Sequence, residues 1–252
     1  MEVRDVDLAA YEAVLFDLDG VLTPTALVHA KAWKTMFDTF LAGWSTQTGV
    51  PQTPFDAESD YHLYVDGKKR SDGVRSFLAS RGIELPDGDV DDPPEFDTVY
   101  GLGHRKNRLI TEVLEREGID PYPGSARLLD CLKGTNVKLA VVSSSHNAEA
   151  VLTSAGIADD FDIRVDGHTA DRLDLPGKPA PDMFLVAAYR LDVAPSRSVV
   201  MEDALAGVQA GRAGNFGLVV GVDRVGQTIE LLAHGADVVV DDLADLLLEG
   251  CR

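Results

Sequence analysis

The chain has 252 residues, 45% hydrophobic and 26% charged, which is the make-up of a globular protein and excludes a chain dominated by disorder. Its 42 acidic residues against 23 basic ones give a formal charge of -19, a field that repels phosphate backbones and anionic membranes. Nucleic acid and membrane surfaces are therefore not expected partners, and a site for a small anion has to be built locally from cations, backbone amides or a metal.

The length suits one large domain or a core with a smaller companion. The opening "MEVRDVDLAAYEA" has neither the basic nor the long apolar segment of a secretion signal, and no run of ~18 uncharged apolar residues follows. A soluble, cytoplasmic protein is expected. Cys131 and Cys251 lie far apart and form no C-x-x-C pair, so neither a disulfide framework nor a cysteine metal site is expected, and a reducing compartment fits.

The first predicted strand is "AVLFDLDG", an apolar run that stops at Asp17 and Asp19. From about residue 26 to 118 the pattern turns helical, in "HAKAWKTMFDTFLAGW", "SDGVRSFLASRG" and "HRKNRLITEVLEREG", with no buried strand between them. "LPDGDVDDPPEFD" reads as a solvated acidic loop, and "GLGH" at Gly101 as a turn before a helix. Beyond residue 118 come the apolar runs "VKLAVVSSS", "FDIRVDG", "SVVMEDA", "GLVVGVD" and "ADVVVDD", with helical segments at 148–155, 181–191 and 204–213. Runs apolar on both faces, alternating with helices, predict an α/β fold: a doubly wound parallel sheet with helices on both faces. The expected division is a core of residues 1–25 and 119–252, with a helical domain of residues 26–118 inserted.

In an open parallel sheet, ligands gather at the carboxyl ends of the strands. Those ends carry Asp17 and Asp19, then Ser143, Ser144 and Ser145, then Lys178 in a loop, then Glu202 and Asp203. Crowded carboxylates raise one another's pKa unless a cation neutralises them. With oxygen donors and no His/Cys cluster, Mg2+ is the natural candidate, and the lysine and serines would cradle a phosphate. Taken singly, each corner also has an ordinary reading: Asp-Gly as a turn, the serines and Asp203 as helix caps, Lys178 and Glu202 as surface charges.

Together and in this order, the corners resemble the four motifs of the haloacid dehalogenase superfamily: D-x-D-G, Ser/Thr, Lys and a carboxylate pair. The resemblance spans the whole chain and implies a magnesium-dependent phosphotransferase. It makes Asp17 the nucleophile, forming an aspartyl-phosphate, and Asp19 the general acid/base, with its backbone carbonyl in the metal shell. It makes Asp17 and Asp203 metal ligands, Glu202 a third directly or through water, and Ser143 and Lys178 the holders of the transferring phosphoryl oxygens.

Within that superfamily, "TPTALVHAKAWK" resembles the segment leading into the helical cap of the beta-phosphoglucomutase branch, with His29, Trp33 and Lys34 in register. This implies that His29 couples cap closure to Asp19. "DGKKRSDGV" implies that Arg70 grips the non-transferring phosphate, and "HRKNR" that Lys106 and Asn107 contact the sugar phosphate. In "VVSSSHNAEAVL", Ser145 and Asn147 match the second phosphate pocket, beside Ser144 and His146. His146 stands in place of a family lysine, Pro24 in place of an aspartate and Ala204 in place of a serine.

The activity so implied is interconversion of β-D-glucose 1-phosphate and glucose 6-phosphate through β-glucose 1,6-bisphosphate, by a monomer whose partner is a small sugar phosphate. The alternatives are a sugar-phosphate phosphatase, which shares every core residue, and a non-enzymatic metal-dependent binding module.

Overall fold

The computed structural model describes residues 6–247 and 251. The chain divides into two compact units, Met1–Thr25 with Ile119–Arg252, and Ala26–Gly118. In chain order, β1 (Ala13–Phe16) is followed by α1 (Thr25–Thr48), α2 (Arg70–Ser80) and α3 (Val99–Glu117). Then come α4 (Pro123–Lys133), β2 (Lys138–Val142), α5 (Ala148–Ser154), β3 (Ile163–Val165), α6 (Gly167–Arg172) and α7 (Asp182–Leu191). The chain continues with β4 (Ser198–Glu202), α8 (Leu205–Ala213), β5 (Leu218–Val222), α9 (Thr228–His234) and β6 (Val238–Val240).

The six apolar runs form one parallel sheet, in the order β3-β2-β1-β4-β5-β6. β1, β4 and β5 are buried at every residue because helices cover both faces, which is why their sequences do not alternate. One core layer joins Leu15, Ala140, Val142, Val200 and Val219 of the sheet to Met183, Phe184, Ala187 and Leu191 of α7. Each large apolar side chain so buried contributes about 1.5–3 kcal/mol relative to exposure. α7 forms because its apolar residues recur on one face, and it stops at Asp192, which is in the left-handed conformation (φ 55°). The helical readings at 148–155, 181–191 and 204–213 correspond to α5, α7 and α8. α4, α6 and α9 went unread.

From β1 the strand order runs one way through β2 and β3, and the other way through β4, β5 and β6. The switch falls between β1 and β4, so a crevice opens at the carboxyl ends of these two strands. Their register pairs Phe16 with Met201, and the Asp17 amide extends the ladder by donating to the Met201 carbonyl at 2.9 Å. Asp17 and Glu202 are thereby brought side by side.

The second unit is helical, with its own core. α1 presents Trp33, Met36, Phe37, Phe40 and Leu41 at the i, i+3, i+4, i+7, i+8 spacing of a single face. Phe37 lies 4.1 Å from Phe77 of α2 and 5.3 Å from Phe55, ring centre to ring centre. Lys34 donates to the Phe55 carbonyl at 2.8 Å and Asp38 accepts from the Phe55 amide at 2.8 Å, fastening the chain after α1.

Two expectations need correction. Gly101 and His104 lie inside the first turns of α3, not in a turn before it. Thr98 caps that helix by accepting from the Gly101 amide, and the glycines are there because neighbours press on them: a Cβ on Gly101 would sit 2.3 Å from the Phe96 carbonyl oxygen. Second, Cys131 and Cys251 form a disulfide. Their 120-residue separation carried no hint of it, because only the fold brings the end of the chain to α4, where the single turn Leu243–Leu246 also packs. The pairing removes the support that the cysteines lent to a reducing compartment. Among the described residues, no helix is long and apolar enough to cross a membrane.

His62 and Asp66, one turn apart in the helical unit, form an ion pair at 3.1 Å. The hydrogen bond to Asp66 raises the His62 pKa against the opposing effect of burial. A histidine raised in the fold contributes stability that is full below its unfolded pKa and is lost as pH rises through the folded value. In thermal melts, the deficit of His62→Gln relative to wild type should be larger at about pH 5.5 than at about pH 8. A deficit that grows with pH would contradict the assignment.

Candidate active site

The end of β4 continues from Glu202 into Asp203, and the loop after α6 brings Lys178 underneath. Lys178 is buried, with its ammonium 2.6 Å from Asp17 Oδ1, 2.5 Å from Glu202 Oε1 and 3.2 Å from the Val142 carbonyl. Glu202 is fully buried, and its other oxygen accepts from the Ala204 amide at 3.0 Å. The carboxylates of Asp17, Glu202 and Asp203 supply oxygens that all lie within 4.8 Å of one another.

Two glycines make room for this crowding. A Cβ on Gly20, whose φ is +95°, would sit 1.8 Å from Asp203 Oδ2, and one on Gly207 would sit 1.8 Å from Glu202 Oε1. Neither close approach is open to a larger residue.

Burial is the largest influence on Asp17 and raises its carboxyl well above the usual carboxylate range. Lys178 pulls it down, while Glu202 and Asp19 push it up. Burial acts to lower Lys178, but Asp17 and Glu202 outweigh it and hold the ammonium above its ordinary value, so the lysine stays charged. Three buried carboxylates are thus set against a lysine that pairs with two of them. An all-oxygen donor set this compact, with excess negative charge and no sulfur or imidazole in it, fits a hard divalent cation. Asp17, Glu202 and Asp203 are the side chains that would hold it.

Asp19 stands apart from this trio. Its carboxylate accepts from Ser143 Oγ at 3.2 Å through one oxygen and from Thr25 Oγ1 through the other, so both oxygens are oriented. Thr25, the last residue of the sheet unit, escaped the sequence reading. Its only signal was a hydroxyl six residues after Asp19.

Ser143 is buried at the end of β2, and its hydroxyl also accepts from the Ser145 amide at 3.1 Å. Ser145 Oγ in turn accepts from the Asn147 amide at 3.1 Å, so the serines form two successive hydroxyl-to-amide turns that lead into α5, whose N-cap Asn147 makes no side-chain capping bond. The Ser144 hydroxyl reaches Met183 Sδ at 4.0 Å. His146 pairs through Nε2 with Asp171 at 2.7 Å and meets the His168 ring edge-on at 4.6 Å.

The remaining residues lie in the helical unit. Lys106, buried on α3, lies 3.1 Å from His29 Nδ1 and 5.0 Å from the centre of the Trp33 ring. An ammonium only donates, so Nδ1 accepts and a neutral His29 ring carries its proton on Nε2. Arg70 opens α2 and lies across Gly103, where a Cβ would be 3.1 Å from its Nε, one turn before Lys106 on α3. Trp33 is a core residue, stacked on Phe37 at 5.2 Å. Asn107 follows Lys106 on the same helix.

Comparison with known proteins identifies the family. Residues 11–215 match the family model of haloacid dehalogenase-like hydrolases. A beta-phosphoglucomutase of Mycobacterium bovis is 55% identical over 98% of this chain and 96% of its own, and one of Bacillus subtilis is 38% identical over 94% and 92%. The crystal structure of a beta-phosphoglucomutase from Clostridium difficile superposes with a TM-score of 0.73 at 27% identity, covering 95% of each chain. The protein belongs to the haloacid dehalogenase-like hydrolase family, and its site is that of a phosphotransferase.

Two variants test the site as built. Lys178→Met leaves Asp17 and Glu202 buried without their cation, and denaturant unfolding should show a loss of about 3–5 kcal/mol; an unchanged midpoint would refute the buried pairing. Gly20→Ala forces Asp203 from its place, and phosphoryl-transfer activity should fall by roughly 100-fold or more. Activity near that of the wild type would mean that Asp203 tolerates displacement.

Proposed function

We propose that this protein is a magnesium-dependent beta-phosphoglucomutase, interconverting β-D-glucose 1-phosphate and glucose 6-phosphate. The observation that carries the reading is the 55% identity to a beta-phosphoglucomutase across nearly the whole chain, together with the intact Asp17, Lys178 and Asp203 cluster.

In this reading residues 1–25 and 119–252 are the catalytic core and residues 26–118 the cap. Asp17 Oδ attacks phosphorus: a new P–O bond forms, the bond to the leaving oxygen breaks, and an aspartyl-phosphate remains. Asp19, oriented by Ser143 and Thr25, gives its proton to the leaving oxygen in one direction and takes it from the attacking hydroxyl in the other. Lys178 and Ser143 donate to the phosphoryl oxygens as charge develops there. Magnesium bound by Asp17, Asp203 and Glu202, with the Asp19 carbonyl, would supply positive charge against those same oxygens. The site carbonyl and carboxylates are all hard oxygen donors, as that ion requires.

Arg70 holds the non-transferring phosphate, with Lys106, Asn107, Ser144, Ser145, His146 and Asn147 completing the contacts to the sugar phosphate. His29 and Trp33 support Lys106. Two phosphate-binding sets are what distinguish a mutase, which must hold a bisphosphate in either orientation, from a phosphatase. The protein acts as a monomer in the cytoplasm; light scattering giving the mass of two chains, or recovery of the protein outside the cytoplasmic fraction, would correct those two points.

The deciding assay supplies β-D-glucose 1-phosphate, Mg2+ and a trace of β-glucose 1,6-bisphosphate, and measures glucose 6-phosphate and free phosphate together. Glucose 6-phosphate without matching phosphate release, and none from the α-anomer, is expected; glucose and phosphate as the main products would make the protein a phosphatase. Asp17→Asn should abolish turnover while the thermal midpoint stays within a few degrees. Arg70→Ala should cut mutase turnover far more than hydrolysis of a small aryl phosphate, and equal losses would remove Arg70 from the distal phosphate.

A further inference from the structure

The turn after β1 is gripped from outside at three successive carbonyls. Gly20 O accepts from Arg224 Nε at 2.8 Å, Val21 O from Ser125 Oγ at 2.7 Å, and Leu22 O from the Tyr122 amide at 2.9 Å. Arg224 comes from the β5–α9 loop, more than 200 residues along the chain. Its guanidinium stacks 3.9 Å from the centre of the Tyr122 ring and donates through another nitrogen to the Asp241 carbonyl at 3.0 Å.

The same short loop has a second arm. Gln227 Nε2 donates to the Asp203 carbonyl at 2.9 Å. Between the two arms the loop is tied to Asp223, whose Oδ1 accepts from the amides of Val225, Gly226 and Gln227. One rigid loop therefore holds the residue that follows Asp19 and also the backbone of Asp203. These are the two places where Gly20 and the Asp203 carboxylate come closer than any Cβ would permit.

We infer that the β5–α9 loop is a two-armed positioning clamp, in which Arg224 and Gln227 set the spacing between the Asp19–Gly20 turn and Asp203. The inference rests on the reading above that a divalent cation is held there. Neither residue touches substrate; each acts through a backbone carbonyl next to a ligand. Arginine suits the first arm because its planar fork spans two carbonyls at once while its face lies on the tyrosine. A lysine could reach only one of them.

The test uses the full chain as wild type, Arg224→Ala, Arg224→Lys and Gln227→Ala. Arg197→Ala is the control, because it removes the same charge from a surface pair with Glu12. Mn2+ affinity is measured by electron paramagnetic resonance with no sugar phosphate present, followed by kcat and KM for β-D-glucose 1-phosphate at saturating Mg2+ and the melting midpoint in EDTA. Removing an outer partner of a metal ligand typically costs 10–100-fold in affinity or activity. Arg224→Ala should weaken Mn2+ binding by roughly 10–100-fold and lower kcat with the sugar KM nearly unchanged. Arg224→Lys should recover part of the loss, Gln227→Ala should move the same way, and Arg197→Ala should change nothing.

A lowered melting midpoint with wild-type Mn2+ affinity would make the loop merely structural and overturn the clamp. If Arg224→Ala does not fold, wild-type Mn2+ affinity in both Arg224→Lys and Gln227→Ala overturns it equally. A wild type that binds no Mn2+ ends the metal reading and the clamp together. One that binds Mn2+ but is inert on β-D-glucose 1-phosphate ends only the proposed substrate, and the clamp is then read from Mn2+ affinity and aryl-phosphate hydrolysis.

Discussion

Three carboxylates gathered at the ends of two neighbouring strands repel one another, and burial deepens the repulsion by removing the water that would screen it. The sheet unit tolerates this because Lys178 is buried beneath them and bonded to Asp17 and Glu202 at once. One ammonium does not balance three negative charges, and burial keeps Asp17 raised despite its partner. The folded chain is thereby a receptor for positive charge before any ligand arrives. A bound cation would answer the excess of carboxylate and release donors of Lys178 and Ser143, which the carboxylates now occupy, to a phosphoryl group.

That arrangement is inherited from topology. The reversal of strand order at β1 opens a crevice there, and the register of β1 with β4 decides which residues enter it. Shifting that register by one residue would turn Asp17 to the opposite face of the sheet. The absence of a side chain at Gly20 and Gly207 then permits the close packing of Asp203 and Glu202, so two positions with no chemistry of their own set the geometry of two that have it.

The helical unit gathers cations of its own. Lys106 lies against the His29 imidazole and over the face of Trp33, which attracts positive charge. Arg70 is accommodated because α3 has glycine at position 103. These cations stand within a chain whose formal net charge is -19.

The sequence by itself determined the class of the fold and the identity of its reactive groups. The apolar runs, most of them too apolar for a half-exposed sheet, read as buried parallel strands, and "HAKAWKTMFDTFLAGW" read as helical in period. Asp17, Asp19, Ser143, Glu202 and Asp203 were legible as the polar ends of apolar runs and Lys178 as a loop residue between them, and their order, resembling the four motifs of a known superfamily, set them apart from turns, caps and surface charges. The resemblance also implied their division of labour, but not the contacts among them. That Ser143 orients Asp19 while Lys178 joins Asp17 to Glu202, that Arg224 reaches the carbonyl of Gly20, and that Cys131 meets Cys251, all depend on contacts between residues far apart in the chain. Periodicity reports which way a side chain faces, but not what it faces; only the packing of strands, helices and loops in three dimensions decides that.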